Sequence, residues 1–222
     1  MKNIFATLSP TITRMMRMDH AHVLSLYHKL TPETSPMVRQ AVIRNICAAL
    51  EIHAQLKEDI FYPALISAGI TSPILEKSEP EHQEIRQLIQ RIRSLESSVA
   101  DQPSMTSQQA NSNSNSADAK NTNAVMNQQI LLNELVQVAM HHMADEETQL
   151  LPMAEQKISQ DQLSELGAKM TRRRFELASP RAGELAKDMA IAAPGKTALL
   201  TAGSLVLATL VIQRIRRMSR VY

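Results

Sequence analysis

Apolar residues recur at helical spacing along most of this chain, in segments that often open on a serine–proline pair. Serine commonly caps a helix, and proline is tolerated in the first helical turn because its missing N–H would have no partner there. The pairs are Ser9-Pro10, Ser35-Pro36 and Ser72-Pro73. With only five glycines and 3% aromatic residues, the pattern predicts an all-α fold held together by aliphatic packing.

Four long helices are predicted, at about residues 10–30, 36–62, 73–99 and 125–151. Residues 101–124 are mainly asparagine, serine and glutamine, which cannot offset the entropy of ordering and therefore predict a flexible loop. The other connections are short. We therefore expect residues 1–158 to form an antiparallel up-down-up-down four-helix bundle.

A basic helical connector is expected at 159–190, followed by a hydrophobic tail helix at 191–222. The uncharged stretch 198–212 spans about 22 Å as a helix, short of the ~30 Å hydrocarbon layer unless Lys196 and Arg214 snorkel. We expect this tail to anchor the cytoplasmic bundle to the cytoplasmic membrane. An interfacial or hairpin-like helix, or packing on a partner helix, is the alternative, because the arginines that follow should also stay cytoplasmic.

Basic charge is concentrated near the end of the chain. Residues 171–222 hold ten lysines or arginines against three acidic residues, although the net charge of the whole chain is only +2. No aromatic residue interrupts the run Arg172 to Arg174, so nucleic-acid binding is not expected. The single cysteine, Cys47, excludes an internal disulfide and a cysteine-rich zinc site, and it should be a small buried hydrophobe.

Each of the four predicted helices carries a histidine at an inward position. These are His20, His53, His82 and His142. An imidazole in an apolar core needs a hydrogen-bond partner or a metal ion, and neutral imidazole is a good ligand for iron or zinc. Glu146 follows His142 by four residues, so both lie on one helix face and can point at one metal. His22 and His141 fall off the inward face and predict ordinary surface or packing roles.

The motifs around these histidines are repeated in the two halves of the chain. In each half an acid–histidine pair comes first, then a histidine that is followed ten residues later by a proline. The residues are Asp19-His20, His53 and Pro63 in the first half, and Glu81-His82, His142 and Pro152 in the second. In these motifs, over about residues 14–156, the chain resembles the hemerythrin-like HHE cation-binding family.

The resemblance implies a non-haem di-iron site, in which histidines cap two irons and carboxylates bridge them, with a position open for a small ligand. His20, His53, His82, His142 and Glu146 match the family pattern directly. A carboxylate suits the bridging role, because its two oxygens bind two ions while its charge offsets their repulsion.

Two residues depart from that pattern. Lys57 stands four residues after His53, where the family usually has its other bridging glutamate, and a lysine cannot bridge cations. Glu58 is the expected substitute ligand, with Asp59 in reserve, although an ideal helix places Glu58 about 140° from His53. Arg86 stands where many hemerythrins carry another histidine ligand, so the expected set holds two irons or only one.

The function that this resemblance favours is reversible binding or sensing of dioxygen or nitric oxide at the open iron position. One alternative is a di-iron enzyme that reduces nitric oxide or peroxide, or that donates iron to damaged iron centres; it predicts turnover with a reductant. A second alternative is a metal-free helical adaptor at the membrane, favoured by the presence of Lys57 and Arg86 in place of ligands.

Overall fold

The structure is a computed structural model that describes residues 10–100 and 114–192, apart from the side chains of 97–100, 114–122 and 124. Within these ranges the regular structure is helical and no strand occurs, which confirms the all-α prediction for the described residues. The α-helices are α1 (Ile12–Tyr27), α2 (Pro36–Leu56), α3 (Tyr62–Ser67), α4 (Pro73–Ala100), α5 (Ser114–Asp145), α6 (Leu151–Lys157), α7 (Gln160–Ala178) and α8 (Ala182–Ala192).

The chain forms two compact units, the first from residues 1–20 and 53–170 and the second from 21–52 and 171–222, each as far as it is described. In the first unit α4 and α5 run antiparallel, since Glu81 contacts His142 while Arg91 contacts Glu134. Apolar side chains at spacings of three and four residues form the core between them. The buried members include Ile85, Leu88, Ile89 and Ile92 on α4 and Leu131, Leu132, Leu135 and Val136 on α5.

In the second unit, the part of α2 that precedes residue 53 pairs with the segment 181–192. Nε of Arg44 donates to Asp188 at 2.8 Å, and Nη1 of Arg181 donates to Glu51 at 2.8 Å. Because Arg44 precedes Glu51 while Asp188 follows Arg181, the two segments run antiparallel. Cys47 is buried on α2, as predicted.

Two helices continue through a π-helical turn, Lys57–Phe61 between α2 and α3 and Glu146–Leu150 between α5 and α6. Each turn lies just ahead of a proline, Pro63 or Pro152, where the sequence predicted that the helix would be disturbed or end. In an α-helix a proline ring clashes with the carbonyl four residues earlier. Here that carbonyl lies inside the wider π turn, which makes room for the ring and lets the helix continue.

The predicted loop at 101–124 is shorter in the structure, because α5 already begins at Ser114. Once the apolar part of α5 has formed, adding polar residues to its start costs little, since helix propagation is far easier than nucleation. The rest of that prediction, 101–113, lies outside the described residues.

The predicted basic connector is helical, consisting of α7, a 3₁₀ turn at Ser179–Arg181 and α8. Among the helices of the described residues, none combines the length and the apolarity that crossing a membrane requires. The hydrophobic tail lies outside the described residues from position 193 onward, so the membrane anchor stays a prediction.

Candidate metal centre

Four imidazoles from four helices meet inside the first unit. They belong to His20 on α1, His53 on α2, His82 on α4 and His142 on α5, and each residue is less than 5% exposed. Glu146, the first residue of the second π turn, is fully buried beside them. His22 and His141 are exposed, as their positions off the inward face predicted. The convergence expected from one histidine per helix is therefore present.

One side of the centre consists of three ligand atoms, Nε2 of His20, Nε2 of His53 and Oε2 of Glu146. The two nitrogens are 3.3 Å apart, and the oxygen lies 3.4 Å from the His20 nitrogen and 3.9 Å from the His53 nitrogen. Ligands about 2.1 Å from one ion stand roughly 3.0–3.6 Å apart in octahedral or tetrahedral geometry, so this spacing suits a single cation. We call these three residues the first ligand group.

The other side of the centre contains His82 and His142, whose Nε2 atoms are 3.2 Å apart, together with Lys57. Lys57 is the first residue of the first π turn and is fully buried. Its ammonium lies 3.0 Å from Oε1 of Glu146 and 2.5 Å from Nε2 of His142. This side, which we call the lysine group, therefore already contains a cationic side chain.

Every imidazole of the centre is held from behind by a carboxylate on its Nδ1. The pairs are His20 with Glu147 at 2.7 Å, His53 with Asp19 at 3.1 Å, His82 with Glu58 at 2.8 Å and His142 with Glu81 at 2.5 Å. An ionised carboxylate only accepts hydrogen bonds, so Nδ1 carries the proton on each ring and Nε2 presents a lone pair to the centre. Such pairs fix the orientation of the ring and raise its basicity as a ligand.

The first ligand group has no proton to share among its atoms. With both Nε2 atoms deprotonated, three atoms that carry lone pairs face one another. Oε2 of Glu146 is buried and accepts no hydrogen bond from the part of the chain that the structure describes. A buried acceptor without a donor costs about 1–3 kcal/mol. One bound cation would satisfy all three atoms, so the residues present fit a metal ion.

Burial and charge set the protonation states of the centre. Burial alone would raise the pKa of Glu146, but the charge of the Lys57 ammonium lowers it well below its usual value. Burial, followed by the charge of Lys57, lowers the pKa of His82 to about 4 and that of His142 to about 2. Burial also lowers the pKa of Lys57, and the charge of Glu146 opposes that fall. At neutral pH the carboxylate is therefore ionised and these two imidazoles are neutral.

The same local motif builds both sides. In each, a histidine near the end of an α-helix is followed four residues later by the first residue of a π turn, and then by a glutamate. The residues are His53, Lys57 and Glu58 in one copy and His142, Glu146 and Glu147 in the other. The first residue of the turn points into the centre, and the glutamate reaches a histidine on the same side as that residue, Glu58 reaching His82 and Glu147 reaching His20. The π turn thus lets two consecutive residues act on the side of the centre that does not contain the histidine of their own copy.

Five of the six predicted ligand residues meet in the centre, and Glu58 does not. Its carboxylate lies behind an imidazole, where it accepts hydrogen bonds from Nδ1 of His82 and from Arg86, both at 2.8 Å. Asp59, the reserve ligand, is exposed and accepts a hydrogen bond from Gln55. Arg86, which replaces a family histidine, instead holds Glu58 in place.

Sequence reasoning missed four polar residues of the site. Three of them brace imidazoles: Asp19, Glu81 and Glu147. The fourth is Tyr62, whose hydroxyl lies 3.3 Å from Oε1 of Glu146 and 3.4 Å from Nε2 of His82. The signal for the braces was in the sequence, since an acid directly precedes the first histidine of each half and another follows each π-turn residue.

A family model, the hemerythrin HHE cation binding domain, matches residues 11–154 of the chain. The matched stretch is more than half of the sequence and contains every residue of both sides of the centre. Comparisons with curated proteins and with solved structures gave no match. The family match agrees with the resemblance that the repeated histidine motifs indicated.

Proposed function

Because the chain belongs to the hemerythrin HHE cation-binding domain family, we propose that it is a non-haem iron protein that binds or senses dioxygen or nitric oxide. The observation that carries this proposal is the first ligand group. Its three buried donor atoms are spaced for one ion, and the carboxylates bound to Nδ1 of both rings leave no proton among them. The binding of a cation agrees with the family, and the iron and its gaseous ligand are the proposal.

The type of donor atoms supports iron. Two histidines and one carboxylate, with positions left open, form the arrangement typical of non-haem ferrous sites. Catalytic zinc sites can use the same three donors, so the resemblance to the hemerythrin family, which implies iron, decides between the two metals. Iron, when bound, supplies the redox-active open position at which a small molecule attaches.

The surrounding residues would control what reaches that position. The first ligand group is less than 5% exposed, and burying a charged ligand there would be costly, which favours a small uncharged molecule. The Tyr62 hydroxyl stays protonated, because burial and the nearby Glu146 raise its pKa. It is therefore a hydrogen-bond donor beside the centre.

The alternatives draw on the same residues. An enzyme that reduces nitric oxide or peroxide, or that donates iron, would use the same centre, and turnover with a reductant distinguishes it from a binding protein. The metal-free adaptor was favoured by Lys57 and Arg86. Neither residue is part of the first ligand group, so neither argues against an ion bound there.

The test is to load the whole chain with ferrous iron without air, and then to add nitric oxide or dioxygen to separate samples. We expect an absorption change that saturates in proportion to the bound iron and reverses when the gas is removed. Glu146→Gln should lose most of the iron while its circular dichroism stays helical, because Glu146 is the only carboxylate of the first ligand group. Glu134→Gln, on the exposed surface of α5, is the matched control and should keep its iron.

A chain that takes up no iron contradicts the proposal, and so does bound iron that responds to neither gas. If Glu146→Gln retains its iron, the metal lies elsewhere. Continued consumption of either gas in the presence of a reductant would favour the enzymatic alternative.

A further inference from the structure

We propose that the centre binds a single metal ion, in the first ligand group, and that the ammonium of Lys57 occupies the place of a second one. This inference rests on the proposed function, which supplies the ion. It departs from the di-iron expectation, because the lysine group does not fit a metal as it stands.

Lys57 and Glu146 occupy equivalent positions in the two copies of the local motif. Each follows a histidine of the centre by four residues, opens a π turn and is fully buried. Two side chains placed in this way by the same backbone motif point at the same small volume from opposite sides. A carboxylate stands at one of these positions and a cationic side chain at the other.

The ammonium of Lys57 already takes two of the three lone pairs that a second ion would need. Such an ion would use the Nε2 atoms of His82 and His142 and the second oxygen, Oε1, of Glu146. The Lys57 nitrogen lies 2.5 Å from the second of these nitrogens and 3.0 Å from that oxygen. A divalent ion placed there would meet the ammonium at contact distance, in a buried site where repulsion between cations is strong.

The charge of the centre also accounts for a lysine at position 57, where a symmetric centre would have a carboxylate. In a symmetric centre with a carboxylate at position 57, that carboxylate and its divalent ion would together contribute one positive charge. Lys57 contributes the same charge alone. Glu146 thus keeps a cation at each of its oxygens, a metal ion at Oε2 and an ammonium at Oε1, and the buried carboxylate stays paired.

A single ion narrows the range of gases that the centre can bind. Two ferrous ions together can give dioxygen two electrons, whereas one ferrous ion beside a redox-inert ammonium can give only one. Nitric oxide binds to a single ferrous ion directly and requires no second electron donor. The ligand class that fits a one-iron centre is therefore nitric oxide rather than dioxygen held by two-electron transfer.

The decisive measurement is the number of metal ions per chain in the whole protein, loaded with excess ferrous iron without air and freed of unbound metal. We expect one iron per chain. After oxidation this iron should give the EPR signal of an isolated high-spin ferric ion, whereas a coupled ferric pair is EPR-silent. Two irons per chain, or a silent pair, would overturn the inference and leave the proposed function standing. Absence of iron would overturn the proposed function itself.

Lys57→Glu tests whether the lysine holds the place of the second ion. It restores the symmetric arrangement, so metal content should rise from one ion to two per chain and the ferric EPR signal should weaken through coupling. Lys77→Glu makes the same change of charge at an exposed position of α4 and should leave the content at one. A folded Lys57→Glu chain that still binds one ion would overturn the inference.

Lys57→Met covers the case in which a second buried carboxylate prevents folding. It removes the ammonium without adding a charge, and it leaves the two imidazoles and Oε1 of Glu146 as a three-atom set. We expect a second ion at saturating metal, bound more weakly than the first. A folded Lys57→Met chain that takes only one ion under those conditions would also overturn the inference.

Discussion

The two sides of the metal centre are built alike and charged differently. Both place two imidazoles from neighbouring helices with their Nε2 atoms 3.2–3.3 Å apart, and both brace those rings with carboxylates from behind. One side then presents a bare carboxylate oxygen, and the other presents an ammonium. The backbone motif therefore fixes where a side chain points, while the residue at that point decides whether the position receives a cation or already contains one.

A second difference between the two copies of the motif lies a few residues further along the chain. Directly before the proline of each motif stands Tyr62 in one copy and Leu151 in the other. Leu151 is fully buried and apolar, whereas Tyr62 brings a hydroxyl to Glu146 and His82. The copy that provides the ammonium thus also provides a neutral hydrogen-bond donor, and both act on the single carboxylate that the other copy provides.

The largest contrast between the two sides should come from their equivalent histidines. His20→Ala removes a member of the first ligand group, and we expect metal affinity to fall by more than about 100-fold, since even residues that only orient a ligand contribute 10–100-fold. His82→Ala removes the equivalent imidazole of the lysine group and should change the affinity by less than about tenfold. Competition with a chromogenic chelator measures both constants.

Circular dichroism of the metal-free variants serves as the control, because both histidines are buried and either substitution leaves a space. Equal losses of affinity in two folded variants would mean that both sides bind metal, which would contradict the inference of a single ion.

The carboxylates behind the rings should repeat this contrast at a smaller scale. Asp19→Asn weakens the brace on His53, and we expect metal affinity to fall about 10–100-fold. Glu81→Gln weakens the equivalent brace on His142, in the lysine group, and should cost no more than a few-fold. The same chelator competition applies, with the iron content at saturation expected to stay at one. A larger effect of Glu81→Gln than of Asp19→Asn would reverse the assignment of the two sides.

The residues of the centre could be predicted from the sequence because their pattern is local and repeated. One histidine per helix, and Glu146 one turn after His142, follow from helical spacing alone. Glu58, predicted as a ligand, lies behind His82 instead of inside the centre for a related reason. An ideal helix predicted a poor angle for it, and the π turn, which spacing cannot show, turns Lys57 inward and leaves Glu58 to brace His82.

The role of Lys57 could not be predicted from the sequence, for a different physical reason. A lysine in place of a carboxylate looks like the loss of a ligand, and nothing in the order of residues indicates that its ammonium meets Glu146 and His142. Those contacts join residues 85 and 89 positions apart. The carboxylates behind the rings were missed for a similar reason. An acid next to a histidine in sequence cannot reach the ring of that histidine, and each of these carboxylates binds a ring on another helix.

The smallest expected effect concerns Tyr62, the residue that distinguishes the two copies of the motif after Lys57. Tyr62→Phe keeps the ring and removes a hydroxyl whose hydrogen bond to Glu146 is long, at 3.3 Å. A hydrogen bond to a charged group contributes about 1.5–3 kcal/mol, and the length of this one places it at the low end of that range, so metal affinity should change by no more than about tenfold and the content should remain at one. If the hydroxyl also donates to the bound gas, nitric oxide should dissociate about two- to tenfold faster, as stopped-flow measurements with a scavenger would record.

Leu151→Val, a conservative change at the equivalent position, should leave that rate unchanged. A slower release from Tyr62→Phe would mean that the tyrosine hinders the ligand, and an unchanged rate would confine its hydroxyl to Glu146 alone.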